Sequence, residues 1–177
     1  INEPDLLNIL DLVSLGTVCD VVPLIGLNRA IVSQGLKVLK RKKNLGLKTL
    51  IETNNIEHNL TTYHLGYVIG PRINAGGRVG KSSHGASLLL NENARETFKL
   101  ATELNDYNKE RQILEGELLN KILNTNYQNN LDPVIILHGE NWHEGIIGII
   151  AARVKEKFNK PTIIISVDSG IGKGSAR

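Results

Sequence analysis

Apolar residues recur at helical spacing over residues 4–16, PDLLNILDLVSLG, where Leu6, Ile9, Leu10 and Val13 share a face. Pro4 suits a first helical turn and Gly16 an exit, so the pattern predicts a helix between them. The following TVCDVVPLIGLNR reads as a short β-like run broken by Pro23. A second amphipathic helix begins near Asn28, carries Ile31, Leu36 and Leu39, and ends in the basic cluster Lys40, Arg41, Lys42 and Lys43. A third, GLKTLIET, follows. The segment TTYHLGYVIGPRINAGGRVGKSSHG is different: glycine is dense, and its charge is almost all positive. HGASLLLNE predicts a short helix. Residues 94–123 predict one long helix with Phe98, Ala101, Leu104, Leu114, Leu118 and Ile122 on its apolar side.

Polar turn residues in NTNYQNNLDP mark a candidate domain boundary, and the period then changes. PVIILHG reads as a buried strand. HEGIIGIIAARVKEKF reads as a helix with Ile147, Ile150, Ala151, Val154 and Phe158 on one face, and PTIIISVD as a second strand. Strand, helix and strand in so short a span make a right-handed parallel βαβ unit. SGIGKGSAR returns the chain toward a further strand or its end. No internal repeat or low-complexity tract interrupts this order.

With 177 residues, 41% hydrophobic and 22% charged, the chain is expected to be globular and soluble. No apolar run approaches the roughly 20 residues of a membrane span. The single cysteine, Cys19, leaves no internal disulfide framework, and the N-terminus lacks signal-peptide character, so a cytoplasmic location is expected. A net charge of +3 permits a polyanionic partner without demanding one. One Trp, four Tyr and two Phe are too few for an aromatic base-stacking sheet. The chain starts at Ile1 and contains no Met, so it is expected to be part of a longer protein.

Within the glycine-dense stretch, residues 75–82, AGGRVGKS, fit the loose form of a P-loop. The context argues against it, because Pro71 and Arg72 make a poor preceding central strand. Two other readings stand: a phosphate clamp in which Arg72, Arg78 and Lys81 sit among glycines, or a plain turn with solvated cations. Asp20 is a carboxylate set between apolar residues, open to a metal role or to capping a turn before Pro23. The five histidines show no zinc-type spacing.

GENWHEGIIG joins a strand to a helix whose free N–H groups favour an anion. His143 either donates to that anion or caps the helix, with Trp142 covering the core. Arg153 either snorkels or meets a partner charge. GKGSAR, with Lys173, Ser175 and Arg177, is a candidate phosphate nest or a hairpin turn. Asn105, Asn108 and Gln112 form a polar line on the long helix, either its solvated face or the wall of a groove.

Taken in order, LGTVCDVVPL, GPRINAGGR, LNDYNKERQ, WHEGIIGIIAARVKEKFNKPTIII and GKGSAR resemble the motifs of the DHH phosphoesterases. The resemblance is strongest to the RecJ-like single-strand-specific DNA exonucleases, and it covers almost the whole chain. It implies an α/β fold in three parts. Residues 1–93 would be the C-terminal part of a DHH catalytic domain. Residues 94–130 would be a connecting helix and linker, and 131–177 the start of a small βαβ-containing DHH-associated domain. It also implies hydrolysis of single-stranded DNA from the 5′ end with two Mn²⁺ or Mg²⁺ ions. Asp20 would be a catalytic, metal-binding aspartate and His143 catalytic and substrate-facing. Arg78, Gln112, Arg153, Ser175 and Arg177 would bind substrate.

The earlier family motifs, Asp-His-His included, and the OB-like domain are not in these 177 residues. The chain is therefore expected to be a central fragment that does not hydrolyse DNA by itself. A monomer is expected, with single-strand-binding protein or helicase as candidate partners. The alternatives are a DHH phosphodiesterase acting on short oligonucleotides or cyclic dinucleotides, and a non-catalytic nucleic-acid-binding module.

Overall fold

The computed structural model of the protein describes residues 5–56, 59–124 and 132–177. It divides into two compact units. One comprises the described residues up to Gly76 together with Ser82–Asp106; the other comprises Gly77–Lys81 and the described residues from Tyr107 to Arg177.

In the first unit Asp5 accepts from the Leu7 N–H and so caps a 3-10 turn, Leu6–Ile9, which leads into α1 (Leu10–Cys19). The helix runs past Gly16, the exit the sequence suggested, and consumes the start of the expected β-like run. The stripe of Leu6, Ile9 and Val13 is exposed, whereas Asp11, Ser14 and Leu15 are buried. The reason is a close crossing with α2 (Gly26–Leu39): a Cβ on Gly35 would collide with the Ser14 hydroxyl and the Leu10 carbonyl. Ser14 Oγ donates to Leu10 O at 2.6 Å, so its small polar side chain is satisfied at the contact. α3 (Leu45–Thr53) follows, capped by Asn44, whose side chain accepts from the Leu47 N–H.

The glycine-dense segment is helical where one reading of the sequence was a tight turn. A π-helical segment, His64–Ile69, runs directly into α4 (Gly70–Val79). The Gly70 N–H donates to Leu65 O, five residues back. That wider register suits Pro71, which has no N–H for the carbonyl four residues before it. The Arg72 side chain donates to the Val68 carbonyl at 2.6 Å and to Asn105 Oδ1 at 2.6 Å. A helix therefore occupies Ala75–Val79, where a P-loop needs a strand and a phosphate-wrapping loop, and the P-loop reading is excluded. α5 (His84–Leu90) is the predicted short helix.

α6 (Ala94–Asn124) is the predicted long helix and contributes to both units. Asn93 caps it, accepting from the N–H groups of Arg95 and Glu96. Ala101 and Leu104 are buried in its first part, Leu118 and Ile122 in its last. The polar break NTNYQNNLDP lies mostly outside the described residues.

The second unit is the predicted βαβ with one more strand. β1 (Ile135–Glu140) lies parallel to β2 (Thr162–Asp168), with Ile135 opposite Thr162, and α7 (Glu144–Phe158) connects them. Antiparallel β3 (Ile171–Ala176) puts Ser175 opposite Ile164, giving the order β1-β2-β3. Ser169 and Gly170 both have positive φ, 49° and 79°, as a tight two-residue hairpin requires. GKGSAR is thus a strand rather than a nest or a turn. Ile146, Ile147, Ile150, Ala151 and Val154 of α7 form the core with Leu118, Ile122, Ile135, Leu137 and Ile164, and Trp142 packs at its edge. The fold class is α/β, mostly helical, with one small sheet. Among the described residues no helix is long and apolar enough to cross a membrane.

Candidate nucleic-acid interface

Three cations of the second unit converge on one cleft of about 290 Å³. Arg78 comes from the last turn of α4, Arg153 from the middle of α7, and Arg177 from the residue after β3. Gly148 and Ala152 keep the α7 side of the cleft low. Two glycines make room here, and at the first the close neighbour is backbone. A Cβ on Gly145 would lie 2.0 Å from the Arg78 carbonyl oxygen, and one on Gly148 would lie 3.2 Å from both Arg177 Nη2 and Ser175 Oγ. Arg78 Nη1 also donates to the Gly145 carbonyl at 3.2 Å. The start of α7 is therefore seated on the Arg78 backbone.

Burial pulls the Arg78 guanidinium below its ordinary range, and the Arg111 and Arg177 charges add to that pull while Glu115 opposes it. Like charges gathered in one place are a standing invitation to an anion, and planar guanidinium groups match phosphate oxygens in pairs.

Asp20 sits in the first unit, exposed, as the C-cap of α1. The chain leaves the helix through a Schellman turn: the Val22 N–H donates to Thr17 O at 3.2 Å and the Val21 N–H to Val18 O at 3.1 Å. Val21 occupies the left-handed position with φ 55°, where glycine is usual, and it is a branched residue 85% exposed. Backbone strain of this kind concentrates at functional sites. The Cys19 thiol is pushed up, chiefly by burial and further by the Asp20 charge. A lone exposed carboxylate suits a hard divalent ion as one ligand among several. Among the described residues, however, no group of three or more His, Cys, Asp or Glu is placed to hold an ion. The described residues alone do not complete a metal centre.

No protein-family model matches the chain. Curated relatives do. The single-stranded-DNA-specific exonuclease RecJ of Dickeya dadantii is 38% identical over 183 residues, covering 99% of this chain and 32% of the relative. RecJ of Bacillus subtilis is 37% identical, covering 96% of this chain and 22% of the relative. The crystal structure of Thermus thermophilus RecJ in complex with Mg²⁺ superposes with a TM-score of 0.88 at 34% identity, over 98% of this chain and 27% of that one. The chain is RecJ-like. It spans between about a fifth and a third of the length of these curated relatives.

Of the residues the RecJ resemblance singled out, Arg78, Arg153 and Arg177 share the cleft, and Ser175 lies beside it, its hydroxyl close to Gly148. Arg153 has partner charges, Glu115 Oε1 at 3.4 Å and Glu156 Oε2 at 3.9 Å, rather than snorkelling. His143 is the N-cap of α7, its Nδ1 accepting from the Gly145 N–H at 3.1 Å. That bond leaves the ring proton on Nε2, as an outward donor. His143 lines a different cavity with Trp142 and Lys121. Gln112 is exposed on α6 and does not line the cleft. Arg72 belongs to the first unit, where it donates to Val68 O and Asn105 Oδ1, whereas Arg78 and Lys81 belong to the second.

The polar line on α6 is not a solvated face, because Asn108 is buried. It accepts from Arg111 Nη2 at 3.1 Å, and Arg111 Nη1 pairs with Glu115 Oε2 at 2.7 Å. Sequence reasoning passed over Arg111 and Glu115. The only signal was their i, i+4 spacing, which ordinarily marks a surface pair.

Proposed function

We propose that this RecJ-like chain grips the sugar-phosphate backbone of single-stranded DNA within an exonuclease that hydrolyses phosphodiester bonds from the 5′ end. The observation that carries the reading is the convergence of Arg78, Arg153 and Arg177, from three separate elements, on one low-walled cleft. Guanidinium groups hold phosphate oxygens irrespective of base, as an enzyme moving along a strand requires. Ser175 adds a hydroxyl donor beside the cleft, Gln112 an amide on α6, and His143 an Nε2–H able to donate a hydrogen bond to a leaving oxygen.

Divalent metal, Mn²⁺ or Mg²⁺, supplies an activated water and stabilises the departing oxygen in such enzymes. Asp20 would supply one carboxylate to such ions; no group of three or more His, Cys, Asp or Glu among the described residues completes the set. Residues 1–93, 94–130 and 131–177 then serve as catalytic portion, connector and substrate-gripping portion. The chain taken by itself does not cut DNA. The whole protein works as a monomer in the cytoplasm, recruited by single-strand-binding protein or helicase.

The test is an assay of the full-length gene product on 5′-labelled single-stranded and duplex oligonucleotides of graded length, with Mn²⁺ and no ATP. Release of labelled mononucleotide from long single strands supports the reading. Activity confined to dinucleotides or cyclic dinucleotides would point instead to another DHH phosphodiesterase. Salt-dependent binding without cleavage would point to a non-catalytic binding module.

A further inference from the structure

Beside the cleft residue Arg153 stands a partly buried carboxylate that the binding reading does not use. The Glu115 side chain is 13% exposed, and its two oxygens serve different arginines. Oε2 holds Arg111 Nη1 at 2.7 Å, and that guanidinium is itself partly buried and braced by the Asn108 amide oxygen. Oε1 reaches across to Arg153 Nε at 3.4 Å. Asn108, Arg111 and Glu115 lie on successive turns of α6, so they form a rigid column fixed by the helix. Arg153 differs. It is 57% exposed, it lines the cleft, and its other carboxylate, Glu156, stands off at 3.9 Å.

We infer that Glu115 is the positioning residue of the cleft: it holds Arg153 by the Nε edge and leaves the rest of the guanidinium to a phosphate. The inference rests on the single-stranded-DNA reading above and adds a residue to it. A long arginine side chain loses much rotamer freedom when it closes on a phosphate. A carboxylate that fixes it beforehand removes part of that cost, which is preorganisation. Arg111 anchors the carboxylate and does not itself line the cleft, which accounts for a partly buried ion pair next to a cleft arginine. Arg111 Nε finds no partner among the described residues, so the column is held for its geometry rather than for complete hydrogen bonding.

The sign of one substitution separates this role from plain electrostatics. Glu115→Gln removes a negative charge close to Arg78 and Arg153, so charge alone would tighten binding to a polyanion. Positioning predicts the opposite, because the amide no longer holds Arg153.

The experiment is a double-mutant cycle in the full-length gene product, with Glu115→Gln and Arg153→Met singly and together. Affinity for a fluorescent single-stranded oligonucleotide is read by anisotropy. Glu115→Gln is expected to weaken binding about three- to fivefold in the Arg153 protein, the scale of one half-exposed ion pair, and by less than about twofold in the Arg153→Met protein. Tighter binding, or an equal loss in both backgrounds, overturns the inference. If thermal melting shows that Glu115→Gln unfolds the protein, Glu115→Asp keeps the charge, shortens the reach and is run through the same cycle with the same two outcomes. Failure of the underlying reading looks different: wild type itself would bind no single-stranded DNA, or Arg78→Met and Arg177→Met would leave its affinity unchanged.

Discussion

Gly148 of α7 and Arg177 after β3 meet so closely that a Cβ on the glycine would stand 3.2 Å from the guanidinium Nη2. Both residues line the cleft, so a side chain at Gly148 would press on one of its three cations. Gly148→Ala should leave the unit folded, since only the end of a flexible side chain must give way. It should lower affinity for single-stranded DNA severalfold. Gly145→Ala should behave differently, because its Cβ would come 2.0 Å from the Arg78 carbonyl, which is backbone. A destabilisation of about 1–3 kcal/mol is expected there, read as a lowered denaturant midpoint.

Arg78 should contribute charge and no sequence preference. Arg78→Met is expected to weaken binding equally on poly(dT) and mixed-sequence strands. It should also lower the slope of log K against log salt by about 0.7, the value for one lost single-strand phosphate contact. Although Arg78 is pulled down from its ordinary range, arginine titrates so far above neutrality to begin with that the cleft stays cationic. Binding measured from about pH 6.5 to 9 should not show an arginine titration.

Val21 carries strain that glycine would relieve. Its left-handed φ costs a branched residue about 1–2 kcal/mol, and its exposed side chain buries little in return. Val21→Gly is expected to stabilise the first unit by a net of about 1 kcal/mol, once the added freedom of the unfolded chain is subtracted. Denaturant unfolding reads this directly. If the strain helps to aim Asp20, the same variant loses nuclease activity while gaining stability.

Cys19 reports on Asp20. Its raised pKa means that the folded thiol keeps its proton where the unfolded thiol has lost it. Its contribution to stability is therefore fully present below the unfolded pKa and falls away as pH rises through the folded one. Alkylation of native protein by iodoacetamide should accordingly be slower than that of a free thiol at the same pH. Burial is the larger cause and the Asp20 charge the smaller. Asp20→Asn should therefore speed alkylation modestly, while urea should speed it greatly.

The second unit was legible in the sequence because its strands and helix follow single, uninterrupted periods. Ile147, Ile150, Ala151 and Val154 fell on the buried face as their spacing required. The first unit was harder to read. Ser14 and Gly35 decide which face of α1 is buried, and a close crossing of small residues leaves no hydrophobic signal. Pro71 and the glycines beside it gave no helical signal, yet a π-helical register absorbs the proline. For the site, chemistry-bearing residue types pointed to Arg78, Arg153 and Arg177, but nothing in their spacing said that they share one cleft. Arg111 and Glu115 resembled an ordinary surface pair, and only tertiary structure reveals Arg153 as their third member.

The most direct test uses the full-length gene product, wild type against Asp20→Ala, on a 5′-labelled single-stranded oligonucleotide with Mn²⁺, with binding measured in parallel. The account predicts that wild type releases labelled mononucleotide, and that Asp20→Ala binds the strand with near-normal affinity but releases none. Undiminished cleavage by Asp20→Ala, or binding without cleavage by both proteins, would contradict it.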